Sequence, residues 1–332
     1  MKNKLIFYIF IFALSATSVF GQTNEIKKPK YERVSEAIGF LAGQEYSLDL
    51  IKSEFPKLEL NITKAQIAFN LSFGKTKERM KSYLAEYLGN SGFKEFENNL
   101  AVEMKNTFGN QTLTEEIAIT FIFEVESRAK GNIVSPVLET LLSFQYTTSP
   151  QSELLAGFST VFKTKGHPKA KNTDWQIKVP RSWRAEEADR PNIIQKFISD
   201  FGTGYQSIMI MVKELQLPDG YKITKEELND FFSEKEMKDM VPEGGKYISF
   251  AKMTFDKHVG GMIEYEMISK RLDFEIKIRM TQFMFIRGNQ MYILQGSVSS
   301  EKAETNLSIE MQKYLPLYKL VANSIVVNDQ YK

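Results

Sequence analysis

The sequence predicts an α+β protein in two parts: a helical domain over 31–148 and, over 174–328, an antiparallel sheet covered by helices. Three observations carry this. Apolar residues recur at helical spacing up to about Tyr146 and alternate with polar ones further on. Between the two patterns lie Ser149-Pro150, Gly157, Gly166 and Pro168, which interrupt both.

The chain opens with Lys2 and Lys4, an unbroken apolar run from Leu5 to Leu14, and Val19-Phe20-Gly21. That is the order of a secretory signal peptide over 1–21, with cleavage before Gln22. The run is too short to cross a bilayer, which takes about 20 residues as a helix. The mature chain is therefore expected in the periplasm or outside the cell, and no later stretch is uncharged for long enough to be a membrane span. Residues 22–30 are polar and charged and read as a flexible leader. There is no cysteine, so neither a disulfide framework nor a lipid-accepting thiol is available. Basic and acidic residues balance at 43 and 41, without the excess a nucleic-acid binder carries.

In the first half, Val34, Ala37, Ile38 and Leu41 mark one face of a short helix. Met80, Tyr83, Leu84, Tyr87 and Leu88 mark another, with Gly89 as its terminator. Phe93, Phe96, Leu100, Met104 and Phe108 form a further stripe, ended by Gly109-Asn110. Thr114, followed by Glu115 and Glu116, reads as an N-cap with an acidic first turn. Ile117 to Phe123 is apolar on every side, as a buried central helix or a strand would be, and its length to Lys130 with the stop at Gly131 favours the helix. Ser135-Pro136 opens a last helix, with Ser as N-cap and Pro at the first helical position.

Residues 149–173 read as a connector leading into the first strand. In the second half, Ile193–Ile198 and Ile208–Val212 flank Gly202-Thr203-Gly204 as a hairpin. Thr224 and Glu227 form a capping box. A turn is expected at Gly260-Gly261, followed by a strand through Ile263, Tyr265 and Met267. Leu272, Phe274, Ile276, Ile278 and Met280 then alternate with Asp273, Glu275, Lys277, Arg279 and Thr281, the pattern of a strand with one face in water. Arg287-Gly288-Asn289-Gln290 is a tight turn into Met291-Tyr292-Ile293-Leu294. A closing helix over about 306–324 is expected to break or bend at Pro316.

Asp174-Trp175-Gln176-Ile177-Lys178-Val179-Pro180-Arg181-Ser182-Trp183 resembles the strand–Pro–x–x–Trp opening of PsbP-like domains. The order of the later elements agrees with that superfamily, and the resemblance runs from about Phe158 to Val327. It implies an α/β/α sandwich with a central antiparallel sheet, in a fold whose members occur in many settings.

Reactive constellations are sparse. The only two histidines, His167 and His258, stand far apart in sequence and read as surface or turn residues, so no metal site and no cofactor is implied. Phe73-Gly74-Lys75-Thr76 has the tail of a phosphate loop but Phe69 where its leading Gly belongs, so it reads as a helix connection. Glu264 with Glu266, and Asp273 with Glu275, are carboxylates two apart. The second pair continues into Lys277 and Arg279, as a solvated strand face does. The best recognition candidate is the basic connector with its neighbours: Lys165, His167, Lys169, Arg181, Trp183 and Arg190, cations grouped around an indole edge for an anionic partner surface. The alternative is that the lysines solvate a linker while Trp183 fills the core. The expected function is an exported, non-catalytic binding or assembly module with a protein partner. Two other readings stand beside it: a carrier of a small apolar or amphipathic ligand, motivated by 25 Phe, 14 Tyr and 14 Met, and a hydrolase with an unfamiliar site.

Overall fold

The computed structural model describes residues 28–109, 112–218, 220–271, 274–300 and 305–331. The signal peptide and most of the leader thus lie outside the described residues. Two compact units divide the chain, Met1–Gln145 and Tyr146–Lys332.

Among the described residues, the first unit holds five α-helices: α1 (Lys30–Glu54), α2 (Glu59–Phe73), α3 (Thr76–Phe108), α4 (Glu115–Ala129) and α5 (Val137–Gln145). The first helix is far longer than expected, because its buried stripe continues past Leu41 through Gln44, Leu48 and Ile51. The second has no counterpart in the sequence-based reading. Its buried Ile62, Ala65, Phe69 and Phe73 are mixed with exposed Leu60, Ile67 and Leu71, which blurs the period. Gly89 leaves helical geometry at φ 72° and ψ 165°, and the chain then resumes a helix to Phe108. Thr114 caps α4 by accepting from the Ile117 N–H. That helix buries Ala118, Ile122 and Val125, but Ile117 and Phe123 are exposed, so it is not buried on every side. The last helix starts at Val137, one residue later than expected, after a cis Ser135-Pro136 peptide.

The second unit runs α6 (Gln151–Leu155), β1 (Ser159–Lys163), β2 (Trp175–Pro180), β3 (Arg184–Glu186), β4 (Ile193–Ile198), β5 (Gln206–Glu214), α7 (Lys225–Phe231), α8 (Glu234–Asp239), β6 (Lys246–Phe255), β7 (His258–Arg271), β8 (Phe274–Arg287), β9 (Gln290–Ser300), α9 (Leu307–Asn323) and β10 (Val326–Val327). Residues 149–173 are therefore more than a connector, since they contain α6 and β1. Seven strands form one antiparallel sheet in the order β3-β4-β5-β9-β8-β7-β6. A second sheet, β1-β2-β10, stands apart from it.

Helices lie on both faces of the large sheet. On one, Phe232 and Met237 pack with Ile263, Tyr265, Met280, Met284, Ile286 and Met291. On the other, α9 contributes Met311, Leu317, Tyr318 and Val321 to a core shared with Phe283, Phe285 and Leu294. Trp175, Ile177 and Val179 of the small sheet close the same core. Pro316 neither breaks nor ends α9. Both Pro316 and Gln312, whose carbonyl loses its helical donor, are exposed, so water can satisfy that carbonyl.

Two expectations about the strands are overturned. Gly260 and Gly261 sit inside β7, and the turn is made by Asp256 and Lys257 at φ 43° and 75°. A Cβ on Gly261 would lie 2.5 Å from the Phe250 ring, so the glycine serves close packing and not a turn. The polar face of β8 is likewise not a water face along its length. Thr281 is followed on that side by Phe283 and Phe285, deep in the α9 core.

Candidate functional site

That reversal along β8 creates the site. The α9 helix covers the sheet where Gly296 lies, and there a Cβ would come within 2.4 Å of the Tyr318 ring. Toward the other end of β8 the helix stops at Leu307, but the strands continue. The face left beyond it carries charge. Lys246, Glu266 and Arg279 stand in one cross-strand row over β6, β7 and β8, and Lys277 pairs with Ile268 one step further out. The result is a cleft of about 360 Å³, within the range of ligand sites. Lys246, Glu266, Lys277 and the polar first turn of α9 (Asn306, Ser308) line it, with Ile268 and Leu307 as apolar surface.

Behind the cleft is a nearly dry ion cluster. Arg279 Nε donates to Glu264 Oε1 at 2.5 Å and its Nη1 to Glu266 Oε1 at 3.0 Å. The side chains of Glu264 and Arg279 are 8% and 14% exposed, against 35% for Glu266, so the cluster runs from core to cleft edge. Arg279 is thus an internal counter-ion and not part of a solvated strand face, as its alternation suggested. The fork of the guanidinium matches two carboxylates spaced two apart on one strand. Those carboxylates share one wall and commit acceptors to the same cation. Glycosidic acid–base pairs instead face one another across a substrate gap. Among the described residues, no three His, Cys, Asp or Glu side chains are placed to hold a metal ion. What the arrangement can do is bind: two ammonium groups and hydroxyl or amide groups surround a small apolar patch.

The basic group expected from sequence is divided by the fold. Lys165 follows β1 and Arg181 follows β2. Antiparallel pairing of Ser159 with Pro180 and Lys163 with Gln176 sends them to opposite ends of the small sheet. Lys169 donates to the Ala188 carbonyl, and its backbone N–H donates to His167 Nδ1 at 3.2 Å. This brings Lys169 and His167 near the loop that carries exposed Arg190. Burial pushes the His167 imidazole below its ordinary range, with Lys169 adding to the effect. Trp183 cannot offer an indole edge: it is 7% exposed, with Tyr314 and Tyr318 at 6.3 and 6.4 Å. The cleft residues were missed because strand alternation alone cannot tell where a covering helix ends. The one available signal was opposite charge on successive strands, Glu264 and Glu266 on one and Lys277 and Arg279 on the next, of which Glu266 and Arg279 stand directly opposite.

No family model and no curated protein matches the sequence. Among solved structures, the cyanobacterial PsbP of Synechocystis sp. PCC 6803 is similar over 51% of this chain and 92% of its own, at 11% identity and a TM-score of 0.30. LpqN of Mycobacterium tuberculosis, described as involved in cell envelope biogenesis, is similar over 54% of this chain and 98% of its own, at 10% identity and a TM-score of 0.32. A Bacteroides thetaiotaomicron VPI-5482 protein is similar over 48% of this chain and 46% of its own, at 9% identity and a TM-score of 0.29. The likeness takes in about half of this chain. At such identities it concerns fold, and function does not travel with fold.

Proposed function

We propose that the mature chain is exported and acts as a non-catalytic binding or assembly module, with the cleft beside the start of α9 as its recognition surface. The observation that supports this reading is the cleft itself, where Lys246 and Lys277 flank an apolar patch and the neighbouring carboxylates are held by Arg279. Cations of this kind suit an anionic partner surface, and the exposed Lys165, Arg181 and Arg190 add to the positive charge of the same unit. Among the described residues no helix is long and apolar enough to cross a membrane.

The test is a pull-down from the native extracytoplasmic fraction with wild-type protein and the Lys246→Glu/Lys277→Glu variant. A stoichiometric partner retained by the wild type and lost by the variant supports the reading. Equal recovery with both removes the cleft from it, and no partner under several mild conditions removes assembly. The mixed polar and apolar lining also favours a small amphipathic ligand as a second reading. Native mass spectrometry of protein purified without detergent checks it, and a bare sequence mass counts against it.

A further inference from the structure

The first unit holds a cation among aromatic rings. Lys30 Nζ lies 5.0 Å from the ring centroid of Tyr83 and 5.1 Å from that of Phe144. These two rings meet edge to face, their centroids 5.8 Å apart and their planes at 67°. Tyr83 opens a row of near-parallel rings: Tyr87 follows at 6.3 Å and Tyr31 stacks on Tyr87 at 4.9 Å. Phe144 is the buried floor, Tyr31 and Tyr83 are half-buried, and Tyr87 is exposed. Helical spacing places Tyr83 and Tyr87 on one face of α3. The Tyr31 hydroxyl donates to Glu32 at 3.0 Å, which sets a carboxylate beside the row. An ammonium within about 6 Å of aromatic faces is the geometry by which proteins recognise quaternary ammonium groups.

The present occupant stands at the very start of a helix. Lys30 is the first residue of α1, and Pro29 before it provides no side-chain cap. The opening N–H groups of a helix have no partner within it, so this turn opens more readily than the rest. The neighbouring Lys28–Glu36 ion pair is half exposed on both sides and restrains the turn weakly. The buried stripe of α1 begins only at Arg33 and Val34, so Lys30 is not part of it.

We infer that the Tyr83–Phe144 pair, with Tyr87 and Tyr31 beside it, is a binding site for a quaternary ammonium group, and that Lys30 is its built-in competitor. A primary ammonium is strongly hydrated and gives up more water in the cage than a methylated one does. Affinity in the wild type is scaled down to the fraction of molecules in which Lys30 has left the cage.

The test is calorimetric titration of the full mature chain with choline, against its uncharged isostere in which carbon replaces nitrogen. Lys30→Gln empties the cage and should bind choline at least about 10-fold more tightly than the wild type does. The isostere should bind neither. Adding Tyr83→Leu to the first substitution keeps apolar bulk but removes a ring face, and should abolish the gain; circular dichroism checks that it folds. Lys30→Gln binding no tighter than wild type would overturn the proposal. Equal binding of choline and its isostere would also overturn it, as would a gain that survives Tyr83→Leu. The cleft variants test a different unit, so either reading can fail alone.

Discussion

Replacing Arg279 by Met tests whether the ion cluster is a structural support for the cleft. The substitution keeps length and apolar stem but removes the cation that bridges Glu264 and Glu266. Glu264 would then be a carboxylate in a nearly dry wall, with a second one two residues along the same face. Breaking a buried pair by removing one partner costs roughly 3–5 kcal/mol. Glu266 is a third exposed, so its half of the fork adds little. We expect a loss of about 3 kcal/mol, at the low end of that range. Urea unfolding followed by tryptophan fluorescence is the assay. The only two tryptophans, Trp175 and Trp183, are both buried in the second unit, so the signal reports that unit alone. With a slope of about 2 kcal/mol per molar urea, the midpoint should fall by about 1.5 M. Pairing the substitution with Glu264→Leu should recover most of the loss, since an apolar pair of similar volume replaces a buried ion pair well. A midpoint shift below about 0.3 M would show that water already satisfies these charges and would refute the reasoning.

Further expectations follow from single contacts. The fully buried Thr281 hydroxyl has no hydrogen-bond partner, so Thr281→Val should leave the melting temperature unchanged or raise it, by up to about 1 kcal/mol of stability. A clear loss would mean that the hydroxyl is satisfied in solution. Gly296→Ala drives a Cβ to within 2.4 Å of the Tyr318 ring and should cost about 2–3 kcal/mol in thermal unfolding as α9 lifts from β9. Burial lowers the His258 imidazole, aided by Arg287, and burial lowers His167 likewise. For both groups the unfolded chain binds the proton more readily. Stability should therefore be full above the ordinary histidine range and fall as pH drops through the depressed folded values. Denaturant midpoints between pH 7.5 and 5.5 check this, and His167→Gln/His258→Gln should flatten the slope in that interval.

Local patterns carried much of the architecture. The cap at Thr114, the capping box of Thr224 and Glu227, the β4–β5 hairpin and the tight turn at Gly288-Asn289 depend on neighbours a few residues apart. Such interactions are written directly in the order of residues. Two of the positions misread or left open share one feature: the deciding partner lies far away in the chain. Gly260-Gly261 spells a turn until Phe250 packs over it, and Trp183 fits either an exposed indole or a core residue until Tyr314 and Tyr318 enclose it.

The same distinction divides what the amino-acid order determined alone from what the folded chain decided. Period, capping and turn chemistry sufficed for an α+β chain with a helical part, an antiparallel meander and a closing helix. Only tertiary packing decided that strands β1, β2 and β10 leave the main sheet, that Arg279 turns inward to Glu264, and that α9 ends short of Lys277. Each of these outcomes depends on where one element covers another. Burial converts a charge from a solvated residue into one that must find a partner, and covering is a relation between distant segments that no local window contains.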